Sequence, residues 1–148
     1  MKAITLGALL ADPTQAGAYF VDLRDREDLV EAANALKYVV APIDLKACTG
    51  DTDVLERFAD ALAFPSWFGG NLDALEDCLN DLSWHAAEGY VLLMEHTGDW
   101  RAHEDNAFDV VLDILNDAAA RWAADRVPFW AFILLGAHDL EQVEDEAG

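Results

Sequence analysis

Basic residues are scarce in this sequence: nine Lys+Arg stand against 29 Asp+Glu, for a formal net charge of -20 and a calculated pI of 4.1. That balance argues against direct binding to nucleic acid, itself a dense polyanion, or to an anionic membrane surface. It favours a basic partner, because complementary fields speed encounter. Cysteine is scarce too. Cys48 and Cys78 both lie in apolar surroundings (IDLKAC and LEDCL), which suits buried, reduced thiols of a cytoplasmic protein better than a disulfide scaffold. No apolar run approaches the length of a transmembrane span. Residues 1–11 imitate a secretory leader superficially, but their apolar part is short, holds one basic residue and ends at Asp12-Pro13. A short N-terminal helix is the expectation there.

Catalytic signatures are missing as well. The sequence has no Gly-rich phosphate loop ending in Gly-Lys-Ser/Thr, no GxGxxG, no GxSxG and no HExxH. His96 and His103 flank Asp99 and Glu104, but the spacing matches no established ligand pattern, and no metal or other cofactor is expected. The stretch that holds them reads as an irregular connection.

What is present is a full complement of core residues: 53% of the chain is hydrophobic, with five Trp and seven Phe. A disordered acidic chain lacks this content. At 148 residues the chain fits one domain. Residues 18–23 and 38–45 read as strands, and Pro42 confines the second to an edge or a bulge. Residues 90–94 (YVLLM) and 129–135 (FWAFILL) are apolar end to end, as strands are when both sheet faces are covered. Helical spacing marks 25–36, 51–63, 71–82 and 106–124, and 139–148 reads as a fraying acidic tail. Alternating strands and helices predict an α/β domain with a small, mainly parallel sheet flanked by helices.

The informative segment is 64–81. Pro65 and Gly69-Gly70 bound a loop carrying Trp67 and Phe68, and Asn71 is a suitable N-cap. Leu72, Leu75, Cys78, Leu79 and Leu82 then recur at helical spacing. A turn of about 100° per residue gathers Asp73, Glu76, Asp77 and Asp81 on the other face, with no Lys or Arg among them. A solvated helix face is the plain alternative, and the helix dipole does favour Asp73 in the first turn. It disfavours Asp81 at the other end. Like charges at i, i+4 each cost about 0.2–0.5 kcal/mol. An aromatic beside a fixed acidic face has the composition of an interaction hot spot. An acid–base pair of Asp73 and Asp77, in the manner of a glycosidase, lacks a sugar platform or an enclosing cleft in the sequence.

The stretch 62–79, LAFPSWFGGNLDALEDCL, resembles the signature of barstar-type ribonuclease inhibitors. That signature runs Leu-Ala-x-Pro, two aromatics, Gly-x-Asn, and Leu-Asp-Ala-Leu-x-Asp-Cys-Leu. The likeness extends collinearly over about 39–135, leaving 1–38 as an N-terminal extension with an extra strand and helix. It implies a three-layer α/β fold without enzymatic activity, which plugs the active site of a microbial ribonuclease inside the cell. By the same resemblance the loop aromatic falls on Trp67, the turn positions on Gly69 and Asn71, and the inhibitory aspartates on Asp73 and Asp77. Asp77 takes the position of a substrate phosphate. The acid of the last helix falls on Asp117, and an aromatic following the inhibitory helix on Trp84. Glu76 stands where the family carries a tryptophan, so the partner is either such a ribonuclease or a different basic toxin or other basic partner.

Overall fold

The two wholly apolar strands form the centre of the sheet. In the computed structural model, which describes residues 3–66, 68–102 and 107–147, β3 (Tyr90–Glu95) is buried up to its last residue and β4 (Phe129–Leu135) throughout. β1 (Ala18–Asp22) pairs with β4 and β2 (Val39–Asp44) with β3, so the order is β1-β4-β3-β2 and every pairing is parallel. β2 is an edge strand, and Pro42, unable to donate to a ladder, is exposed on it.

Alternation along the strands sorts their side chains to two helical layers. Tyr90, Leu92, Met94, Phe129, Ala131 and Ile133 pack with residues of α3 (Asp51–Leu62), α4 (Leu72–Asp81) and α6 (Ala107–Ala124). Val91, Leu93, Trp130, Phe132 and Leu134 face the other way, against Leu6 and Leu10 of α1 (Ala3–Leu10) and Leu29, Ala32 and Ala33 of α2 (Arg26–Ala35). The Trp130 indole N–H donates to the Leu10 carbonyl at 3.0 Å. The extension beyond the family signature therefore supplies one whole layer and one edge strand. The β1-to-β2 connection uses α2 on one face, and the chain then returns through β3 to β4 with its helices on the other.

Two segments differ from the sequence expectation. The acidic tail is a helix, α7 (Ala137–Ala147), whose Leu140 and Val143 pack on the core. The stretch that reads as an irregular connection contains α5 (Gly98–Ala102), where Trp100 is buried against Phe108. In both, a few apolar contacts fix a helix that local composition does not announce.

Candidate protein-binding surface

α4 begins at Asn71, whose side-chain oxygen accepts from the Ala74 backbone N–H at 2.8 Å. This cap satisfies one of the orphan donors of the first turn. Gly70, at φ +71°, supplies the left-handed turn that leads into it. Gly69 is exposed and has an ordinary φ, so the demand for glycine at this corner falls on its neighbour. Leu75, Cys78 and Leu79 are fully buried. Asp73, Asp77 and Asp81 are exposed, and Glu76 is partly buried. The acidic row is thus carried on a helix whose opposite face is locked into the core. Residues 58–100 contain no lysine or arginine, so the row has no cation nearby in sequence to neutralise it.

Two tryptophans hold the frame. The Trp122 indole N–H of α6 donates to the Leu79 carbonyl at 2.8 Å, meeting one of the unpaired acceptors in the last turn of α4. Trp84 follows α4 on a 3-10 turn (Ser83–His85) and donates to the Leu62 carbonyl at the end of α3, at 3.1 Å. Its ring meets Phe64 edge-on at 6.0 Å, and Phe64 in turn meets Phe68 at 4.9 Å. Phe64 therefore braces Phe68 and is itself braced by Trp84, which is partly buried. Sequence spacing could not reveal this bracing, because the contacts join three separate segments. Trp67 lies outside the described residues. Asp117 is exposed on α6, the helix packed beside α4.

Cys78 sits on the buried side of the acidic helix. Burial first, and the charges of Asp77 and Asp81 after it, push its thiol up to about 11. Burial also raises Cys48. Both are free thiols. Only the thiolate reacts with a disulfide reagent, so at pH 8 the folded protein should resist labelling, and both cysteines should react once urea unfolds it. Cys78 binds its proton more tightly folded than unfolded, so its contribution to stability is complete below the ordinary thiol pKa and is lost as the pH rises towards 11. Labelling of the folded protein as fast as of the unfolded chain would contradict this placement.

Of the residues weighed for a metal, His103 and Glu104 lie outside the described residues. The His96 ring pairs with Asp44 at 2.8 Å, and that hydrogen bond holds the Asp44 carboxyl below its ordinary value. Among the described residues no group of three or more His, Cys, Asp or Glu could hold a metal ion, and no helix is long and apolar enough to cross a membrane.

Fold and surface together define a class: a three-layer α/β protein on an all-parallel four-stranded sheet, with an acidic helix fixed at its surface. Residues 38–134 match the family model described as Barstar (barnase inhibitor), and the chain belongs to that family. Its members are non-enzymatic inhibitor proteins. No curated protein matches the chain. Among solved structures it is similar to the ORC1 protein of Aeropyrum pernix in complex with DNA, at 15% identity and a TM-score of 0.46. The alignment covers 90% of this chain and 38% of that one.

Proposed function

We propose that this protein inhibits a barnase-type ribonuclease in the cytoplasm by seating the acidic face of α4 and the loop before it in the enzyme's cationic active site. Asp77 occupies the place of a substrate phosphate there. Asp73 and Asp81 flank it, Asn71 and Gly69 shape the approach, and Trp67 is the aromatic anchor. Asp117 and Trp84 complete the contact. The observation that carries this reading is the exposed row Asp73, Asp77 and Asp81 on a helix held rigid by its buried face and its cap. A rigid array of carboxylates meets Arg and Lys groups with little ordering cost on its own side. The free, buried thiols agree with a reducing compartment.

Glu76 favours a second reading, a different basic toxin as the target. A partly buried carboxylate here replaces the apolar contact that a tryptophan makes in other members, and its match is an additional cation on the partner.

Association tests the electrostatic part directly. Screening over about 10 Å in roughly 0.1 M salt removes long-range attraction first. With a net charge of -20, the association rate with a barnase-type ribonuclease should fall steeply with ionic strength in stopped-flow mixing, and dissociation should change much less. An association rate independent of salt would refute steering by this surface.

A further inference from the structure

Phe68 and Gly70, just before α4, face α3. Between these residues and α3 runs a groove of about 350 Å³ whose lining includes Thr52, Leu55, Glu56, Ala59, Asp60 and Phe68. A second hollow of about 300 Å³ shares Thr52, Leu55 and Gly70 with it and reaches Asp73 at the start of α4. The groove is therefore continuous with the acidic row, although it belongs to another helix.

We infer that this groove receives an arginine side chain of the ribonuclease, as a second anchor beside the one that Asp77 engages. The inference rests on the inhibitor reading above. Its floor is apolar: Leu55 is buried, Ala59 and Phe68 are partly so, and the Phe68 ring is braced edge-on by Phe64 at 4.9 Å. Its rim carries two exposed carboxylates one helical turn apart, Glu56 and Asp60. No cation lines it. Arg57, the one basic residue of α3, is turned to the backbone carbonyls of Asp44 and Lys46 and is spent there.

An apolar floor, an aromatic ring and paired acids at the rim describe the needs of arginine more closely than those of lysine. The methylene stem covers Leu55 and Ala59. The guanidinium is planar, weakly hydrated and able to stack on an aromatic face, and it offers a fork of donors to carboxylates. A lysine ammonium would give up more hydration for a single point contact. The volume suits one long side chain, at the lower end of what small ligand pockets offer.

The test compares three variants with the parent, by dissociation from a barnase-type ribonuclease and by thermal unfolding. The Glu56→Gln/Asp60→Asn variant should dissociate roughly ten-fold faster, between the effect of an exposed ion pair and that of a buried one. Its melting temperature should not fall, because the change removes a like-charge pair at i, i+4. Glu27→Gln/Glu31→Gln makes the same change of charge and spacing on α2, across the sheet, and should leave dissociation unchanged. Asp77→Ala reports on the inhibitor reading itself. If Asp77→Ala weakens binding while the α3 variant dissociates like the parent, the groove is unused and the inhibitor reading stands. If the α2 and α3 variants dissociate equally fast, bulk charge accounts for the effect and the groove assignment fails. If the parent binds no barnase-type ribonuclease, both readings fall together.

Discussion

Replacing Asp77 by alanine should accelerate dissociation from the ribonuclease by roughly a hundred- to a few-thousand-fold while leaving the fold intact. The expectation follows from what the partner loses. A carboxylate seated among Arg and Lys groups compensates their desolvation, and a methyl in its place leaves those charges buried and unpaired, at about 3–5 kcal/mol. The remaining acids still steer the approach, so the association rate should change little. Stability should hold or rise slightly, since Asp77 is exposed and sits one turn from both Asp73 and Asp81. Glu31→Ala, on the exposed side of α2 and across the sheet from α4, should leave binding as it is. Parental binding by Asp77→Ala together with weakened binding by Glu31→Ala would put the inhibitory surface on the wrong face of the molecule.

A second large effect concerns the N-terminal layer. A chain of residues 39–148 keeps nearly all of the family match and the entire acidic helix, yet it should not fold on its own. Removing α1 and α2 bares Val91, Leu93, Trp130, Phe132 and Leu134, all now buried. At about 1.5–3 kcal/mol for each large apolar side chain, the loss is on the order of 10 kcal/mol, comparable to the whole stability of an ordinary domain. Loss of β1 also leaves the hydrogen-bonding edge of β4 open, a template for aggregation. Circular dichroism and gel filtration should find the shortened chain unfolded or aggregated. A soluble monomer with a cooperative melt would show the extension to be dispensable. A milder change tests the same layer, as Leu29→Ala should cost about 2–5 kcal/mol in urea unfolding.

How much of this was legible beforehand varied with the kind of contact involved. The central strands announced themselves, because FWAFILL and YVLLM have no polar position to give to solvent and so require cover on both faces. That the cover on one side comes from α1 and α2 was not legible. Leu6, Leu10 and Leu29 meet Trp130 and Phe132 across more than a hundred residues, and no local pattern encodes that pairing. α7 is not legible because Leu140 and Val143 are two apolar residues in a run of acids, and only their seat on the core makes the segment a helix. The acidic helix is more legible. Asn71, the buried stripe and the exposed acids all follow from spacing within one helix. The groove beside it depends on how the 64–71 loop meets α3, with Phe68 placed by Phe64 and Trp84 hydrogen-bonded to the end of α3, which spacing alone does not encode.

The central claim is that the acidic helix takes the place of RNA in the enzyme. Steady-state hydrolysis of an RNA substrate by a barnase-type ribonuclease, measured at several inhibitor and substrate concentrations, tests it most directly. One molecule of this protein should silence one molecule of enzyme. Raising the substrate concentration should relieve the inhibition, with KM rising and kcat unchanged. Inhibition that lowers kcat and leaves KM as it was, or no inhibition at stoichiometric excess, would contradict occupation of the active site.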